Sequence, residues 1–240
     1  LAFLIPAMQR LSKNRPLSKR DPRVLILMPT RELAKQVFTQ LRLFTSGSQF
    51  KAVLILGGEN FNDQVKTLEK DPHFIVATPG RLADHLSQGH FYLNGLELLI
   101  LDEADRMLDL GFSQQLAQIN KAADHRKRQT LMFSATLDHA QVNDFALDLL
   151  KKPKRIAIGS AHTEHKDITK RFYLCDNLDH KQALLEHFLQ TETYQQVIIF
   201  TATRSDTDRL SSVLTEQGLS TTALSGDLNQ SQRNQIMEGF

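Results

Sequence analysis

The chain has 240 residues, 41% of them hydrophobic and 23% charged, with one cysteine and a formal net charge of +2. This predicts a soluble globular protein of one large or two ordinary domains with ample apolar residues for a core. It excludes a disulfide-built scaffold, since Cys175 has no internal partner, and a helical membrane protein, since no apolar run approaches the roughly 20 residues of a span. The Leu1-Ala2-Phe3-Leu4-Ile5-Pro6 start lacks a basic flank and a cleavage site, so a reducing, cytoplasmic setting is expected.

Charge is unevenly placed. Residues 1–160 hold 22 Lys/Arg against 16 Asp/Glu, and residues 161–240 hold 7 against 11, so the halves carry +6 and −4. A basic first half suits a polyanionic partner, although excess charge alone usually means a solvated face.

Along the chain, Lys13, Arg15, Lys19, Arg20 and Arg23 read as an exposed basic loop. Short apolar or β-rich runs at 24–28, 52–56, 74–77, 98–101, 130–133 and 155–158 predict strands, with helical patterns between most of them. One such pattern places Leu33, Val37, Leu41 and Phe44 on one helix face. A second series follows at 172–174, 197–200 and 221–224, separated by helical runs at 181–189 and 206–216. Alternation of this kind predicts α/β architecture with parallel sheets. The polar stretch 159–169 divides the chain, giving expected domains at 1–160 and 161–240.

The most informative run is Glu97-Leu98-Leu99-Ile100-Leu101-Asp102-Glu103-Ala104-Asp105, an apolar strand candidate ending in three carboxylates. A strand buried on both faces delivers its last side chains to the carboxyl edge of the sheet, where ligands of open α/β folds bind. Acids there point to Mg²⁺ with phosphate. They also suit the first turn of a helix, where the macrodipole favours them, and both readings can hold together.

With the other elements in their order, Asp102-Glu103-Ala104-Asp105 resembles the signature of the DEAD-box RNA helicases over the whole chain. Pro29-Thr30-Arg31-Glu32-Leu33-Ala34 is similar to motif Ia, Gly57-Gly58 to the glycine pair, Thr78-Pro79-Gly80-Arg81 to motif Ib, and Ser134-Ala135-Thr136 to motif III. Val197-Ile198-Ile199-Phe200 with Thr203 and Arg204 resembles motif IV, and Ser225-Gly226-Asp227 with Gln230 and Arg233 the motif after it; many members have His at the place of Ser225. The resemblance implies two RecA-like parallel-sheet domains in tandem, both incomplete in this chain.

It also implies roles. Asp102 would hold Mg²⁺ on the β- and γ-phosphates of ATP through water, and Glu103 would orient the attacking water. Asp105, Ser134 and Thr136 would relay the state of the γ-phosphate; read alone, Ser134-Ala135-Thr136 is a strand end or a cap for a helix near Asp138. A motor that is not sequence-selective must grip backbone rather than base edges. Pro29, Thr30, Arg31, Gly57, Gly58, Thr78, Pro79, Gly80 and Arg81 would do so from the first half, and Thr203, Arg204, Gly226, Asp227, Gln230 and Arg233 from the second. Glycines allow close approach, while hydroxyls and arginines donate to phosphates. Several of these residues also suit ordinary turns and helix starts. RNA as the partner, and local opening of short duplexes, come from the resemblance; charge alone does not separate RNA from DNA.

Other features read as ordinary. His162-Thr163-Glu164-His165 is a solvated linker without enough ligands for zinc, Arg126-Lys127-Arg128 an exposed turn, and Asp179-His180-Lys181 a helix start with Asp179 as cap. The resemblance places a P-loop before Leu1, on a strand beside the one ending in Asp102, and motifs V and VI beyond Phe240. The chain is therefore expected to be a segment of a longer polypeptide and inactive in ATP hydrolysis by itself. A non-catalytic RNA-binding product remains the alternative, and a nuclease is disfavoured because no second acid group stands near. Within the family, residues 172–189 look most like bacterial members that act in large-ribosomal-subunit assembly, with ribosomal RNA and pre-ribosomal particles as partners.

Overall fold

Strands that are apolar at every position need cover on both faces, and the first half of the chain provides it. The computed structural model describes residues 2–16, 20–125, 127–136, 140–158 and 167–240, in two compact units, Leu1–Thr163 and Glu164–Phe240. In the first unit the strands are β1 (Val24–Leu27), β2 (Ala52–Ile55), β3 (Phe74–Ala77), β4 (Leu98–Leu101) and β5 (Gln129–Met132), joined in the order β2-β3-β1-β4-β5. Every pairing is parallel and in step, so Leu27, Ile55, Ala77, Leu101 and Met132 form one row at the carboxyl edge.

The helices of this unit are α1 (Leu4–Lys13), α2 (Arg31–Thr45), α3 (Phe61–Leu68), α4 (Pro79–Ser87), α5 (Ala104–Asp109), α6 (Ser113–Ala122) and α7 (Ala140–Leu149). Successive strand residues point to opposite faces. Leu25, Leu27, Ile75, Leu99 and Leu101 pack with Leu82 of α4, Met107 of α5, and Leu116 and Ile119 of α6. Val24, Ile26, Phe74, Val76, Leu98 and Ile100 pack with Leu4, Ala7 and Leu11 of α1 and with Ala34 and Leu41 of α2. This is why β1, β3 and β4 read as unbroken apolar runs.

Three expectations are corrected here. Arg23 is not part of an exposed loop: it is 4% exposed, its Nε donates to Glu97 Oε1 at 2.5 Å, and its amines donate to the carbonyls of Leu11 and Asn14. The buried pair ties α1 to the entry of β1 and β4, a role that a basic run in sequence does not disclose. The place beside β4 is not open for a further strand, because β1 and β5 fill its two sides. Residues 155–158 form no strand, and Ile156 and Ile158 are exposed.

The second unit carries α8 (Leu178–Thr191), α9 (Arg204–Glu216) and α10 (Gln230–Gly239), and among its described residues there is no strand. The runs 172–174, 197–200 and 221–224 are irregular, with Phe172, Leu174 and Phe200 each more than nine-tenths exposed. The expected second parallel sheet is therefore not formed among the described residues, which carry one five-stranded sheet. A strand exists only through its ladder partner, and composition reports β-propensity without reporting a partner. Lys19, Arg126, Asp138 and His162 to His165 lie outside the described residues, as does most of the expected boundary at 159–169.

Candidate functional site at the carboxyl edge of the sheet

Each of the five strands ends in one of the sequence motifs, and the common register brings those ends to a single edge. The chain leaves β1 toward β2 on one side and leaves β4 toward β5 on the other, so the β1/β4 boundary is a switch point of the kind at which open sheets bind ligands. Asp102 stands there. Its backbone N–H donates to Leu27 O of β1 at 3.1 Å, while Ala104 N donates to Phe133 O just past β5 at 3.0 Å. The acid loop is thus held from both neighbouring strands.

Asp102 is partly buried, and burial pushes its carboxyl above the usual range against the opposing bond from Glu103 N to Oδ1 at 3.1 Å. Its Oδ2 takes no hydrogen bond among the described residues. A partly buried carboxylate with one oxygen that takes no donor from the described residues fits a cation. No group of three or more metal-ligating side chains occurs among the described residues. Glu103 has φ 52 and ψ 53, a left-handed conformation that costs a non-glycine residue about 1–2 kcal/mol. Strain of this kind clusters at functional sites. Here it turns the chain sharply between β4 and α5, with Glu103 Oε2 3.4 Å from Arg106 Nη1.

Asp105 sits in the first turn of α5 and reaches the segment after β5. Its Oδ2 accepts from Thr136 Oγ1 at 2.6 Å and from Thr136 N at 3.1 Å, and Oδ1 accepts from Arg106 N at 3.0 Å. Burial works against the charge, but these bonds and one from Ser134 outweigh it and hold the carboxyl below its usual range. The three residues assigned to coupling are therefore one hydrogen-bonded group.

The other strand ends carry the glycines, hydroxyls and arginines. After β1, Thr30 caps α2, its Oγ1 accepting from Leu33 N at 3.3 Å, so the ordinary helix-start reading holds for it. After β2, Gly58 has φ +77, and a Cβ built on it would lie 2.4 Å from Arg31 Nη1; a Cβ on Gly57 would meet nothing within 4 Å. Gly58 is thus demanded by the fold, whereas Gly57 is not. After β3, Thr78 is 7% exposed and makes no capping bond, and Pro79 opens α4. Pro29 and Pro79 are both buried, so their rings shape turns rather than line a surface. Gly80 lies against Phe112, 3.7 Å from a built Cβ. Arg81 donates from Nη1 to Glu59 O at 2.9 Å and to Gln64 Oε1 at 3.2 Å, which links the strand-end segments of β2 and β3.

In the second unit Thr203 caps α9, accepting from Asp206 N at 3.1 Å. Arg204 Nη1 pairs with Asp227 Oδ1, and Gly226 lies beside the same guanidinium. These four residues are brought together. Gln230 and Arg233 stand on α10, which Asn229 and Gln232 start with a reciprocal capping box. The cap of α8 is Asn177, whose side chain accepts from His180 N at 2.8 Å; this corrects the assignment to Asp179, which sits in the first turn. Arg128 is no free surface cation, since it donates to the carbonyls of Asn120 and Ala123 at the end of α6.

Two further side chains at the edge carry no sequence signal, Gln64 of α3 and His85 of α4. Both are buried and bonded to each other at 2.9 Å. Nothing in a helical pattern marks a buried polar residue until its partner helix is known.

The family model described as DEAD/DEAH box helicase matches residues 1–145, and that of the helicase conserved C-terminal domain matches residues 179–240. The chain is 37% identical over 238 residues to the ATP-dependent RNA helicase SrmB of Haemophilus influenzae, covering 99% of this chain and 54% of that protein. It is 39% identical over 238 residues to the ATP-dependent RNA helicase DeaD of Buchnera aphidicola, covering 99% of this chain and 38% of that protein. A crystal structure of a DEAD box protein from Methanococcus jannaschii superposes with a TM-score of 0.58 at 29% identity, covering 99% of this chain and 61% of that one. The chain spans about half the length of the SrmB relatives that it matches. With both family models on it and every strand of its sheet ending in a family motif, the chain belongs to the DEAD/DEAH box helicases.

Proposed function

We propose that this chain is core sequence of an ATP-dependent RNA helicase that couples ATP hydrolysis to local opening of RNA duplexes or remodelling of RNA–protein particles. The observation that carries the reading is the single row of strand ends. Acids and hydroxyls stand on β4 and β5, glycines and arginines on β2, β3 and β1, so nucleotide chemistry and backbone grip share one rigid edge. Residues 1–160 are assigned to the ATP-binding domain and 161–240 to the start of the C-terminal helicase domain.

In this reading Asp102 would hold Mg²⁺, which when bound would supply charge neutralisation at the ATP phosphates. Glu103 orients the attacking water from its strained position between β4 and α5. Asp105, Ser134 and Thr136 move as one hydrogen-bonded group and pass on the state of the γ-phosphate. Thr30, Arg31, Gly57, Gly58, Gly80 and Arg81 contact the phosphodiester backbone, with the buried Pro29, Thr78 and Pro79 setting their turns. Thr203, Arg204, Gly226, Gln230 and Arg233 take the corresponding role in the second unit, with Asp227 holding Arg204 in place before the phosphate binds. The Arg204–Asp227 pair is exposed, and such pairs contribute only about 0–1 kcal/mol, so a phosphate can replace the carboxylate.

The 240-residue chain alone is assigned no ATP turnover, because it contains neither a P-loop motif nor the arginines of motif VI. We place the protein in the cytoplasm and in large-ribosomal-subunit assembly, acting on ribosomal RNA in pre-ribosomal particles. The similarity of residues 172–189 to members of that pathway supports this finer reading. The test is phosphate release from ATP by the full-length protein. It should rise on adding RNA and disappear in Glu103→Gln; RNA binding that ignores ATP analogues, without turnover, would instead favour a non-catalytic RNA-binding protein.

A further inference from the structure

The edge motifs of β2 and β3 are joined through two polar side chains that no motif includes. Gln64 is 5% exposed and His85 0%. Gln64 Nε2 donates to Leu56 O at 2.8 Å, immediately before Gly57. Gln64 Oε1 therefore faces the other way and accepts twice, from His85 Nε2 at 2.9 Å and from Arg81 Nη1 at 3.2 Å. Arg81 Nη1 also donates to Glu59 O at 2.9 Å, immediately after Gly58. Both flanks of the Gly57-Gly58 turn are thus fastened, one to Gln64 and one to Arg81, and Gln64 bridges the two fastenings.

His85 fixes the bridge in one orientation. An amide oxygen only accepts, so His85 Nε2 carries the proton, and the neutral ring presents Nδ1 as an acceptor for His90 Nδ1–H at 3.1 Å. The ring of Phe61 stacks on His85 at 4.0 Å with 8° between planes, and its face carries the Arg81 guanidinium, whose carbon is 5.4 Å from the ring centre. Every hydrogen-bonding atom of the Gln64 and His85 side chains named here has a partner. An apolar pair would fill this space without the desolvation cost of two buried polar groups. What an apolar pair would not do is give Arg81 Nη1 its second acceptor, beyond Glu59 O, the Phe61 face and the Nε pair with Asp84 at 4.0 Å. The Arg81 side chain is only 16% exposed, and its Nη2 makes no hydrogen bond among the described residues.

We propose that Gln64 and His85 are positioning residues that lock Arg81 and the Gly57-Gly58 turn into one arrangement, presenting Arg81 Nη2 and the turn's backbone to adjacent phosphates of one RNA strand. The proposal rests on the RNA-helicase reading and adds to it two residues that act through Arg81 rather than on the ligand.

The experiment is a double-mutant cycle on the full-length protein, with affinity for a fluorescent oligouridine read by anisotropy and folding read by thermal unfolding. Gln64→Leu keeps side-chain volume and removes the bridge, and it should weaken binding about 10- to 100-fold, the loss expected for one hydrogen bond to a charged partner. In an Arg81→Ala background the same substitution should cost less than about twofold, because the group it positions is gone. His85→Leu should behave as Gln64→Leu does, whereas His85→Gln, which keeps a donor near Nε2, should restore binding to within about threefold of wild type. Should Gln64→Leu fail to fold, the His85 pair decides, with restoration supporting the proposal and equal binding by His85→Leu and wild type overturning it. Unchanged binding in a folded Gln64→Leu, or an equal loss with and without Arg81, overturns it while leaving the function intact. A wild-type protein that does not bind the oligouridine overturns the RNA reading itself.

Discussion

Thr136 donates to one oxygen of Asp105 twice, from its hydroxyl at 2.6 Å and from its backbone amide at 3.1 Å. The two residues follow neighbouring parallel strands, β4 and β5, so the bonds latch together the segments that carry the acid cluster and the Ser134-Ala135-Thr136 motif. Thr136→Val removes the hydroxyl and keeps the shape. A hydrogen bond to a charged group contributes about 1.5–3 kcal/mol, so the substitution should lower RNA unwinding by about tenfold or more. ATP turnover should fall far less, since Asp102 and Glu103 are untouched. Parallel assays of phosphate release and strand displacement check this split, and equal losses in both would contradict the coupling role.

The two glycines of the turn after β2 should separate folding from binding. Gly58→Ala puts a Cβ in a φ +77 conformation and against Arg31, so it should destabilise the fold by about 1–2 kcal/mol and disturb Arg31. Gly57→Ala meets nothing in the protein. It should leave the unfolding midpoint unchanged while weakening RNA binding, because only a close ligand would feel the methyl group. Thermal unfolding with RNA titration distinguishes the two. A Gly57→Ala variant that binds RNA normally would remove Gly57 from the contact surface.

The Arg23–Glu97 pair supplies a stability prediction independent of function. Both side chains are 5% exposed, and Arg23 also satisfies two carbonyls at the end of α1. Removing one partner of a buried pair leaves an uncompensated charge, at a cost of about 3–5 kcal/mol. Glu97→Ala should therefore shift the urea midpoint of the first unit strongly downward. A change within experimental error would show that the guanidinium is solvated after all.

Acid should weaken the first unit through histidine. Burial, with smaller contributions from His90 and Arg81 and against Asp84, lowers His85 from 6.5 to about 4. The unfolded chain then binds a proton at a pH where the folded chain refuses it. The stabilisation is complete above 6.5 and is lost as pH falls from there through about 4. His73 is shifted in the same direction by burial, Arg23 and Lys51. The unfolding midpoint should fall across that window, and His85→Gln should flatten part of the fall. A midpoint that holds constant across the window would contradict the buried neutral ring.

Which parts of this molecule could be read from sequence follows from which interactions are local. The strands β1 to β5 were legible to within a residue at each end because helices cover both sides of the sheet, and their apolar runs record that cover. The acid cluster was legible because carboxylates directly after such a run have no place in packing. The runs at 197–200 and 221–224 carry the same composition and form no strand, since pairing is a property of two segments and a run shows only one. Arg23, Gln64 and His85 escaped for a related reason. Their burial depends on partners 74, 21 and 21 positions away, and no periodicity encodes such pairings.

ATP-driven opening of RNA is measured by strand displacement from a short RNA duplex with the full-length protein. The labelled strand should be released with ATP and Mg²⁺, not without ATP, and not by Glu103→Gln. Release that proceeds equally without ATP, or an unchanged rate in Glu103→Gln, would contradict ATP-driven opening.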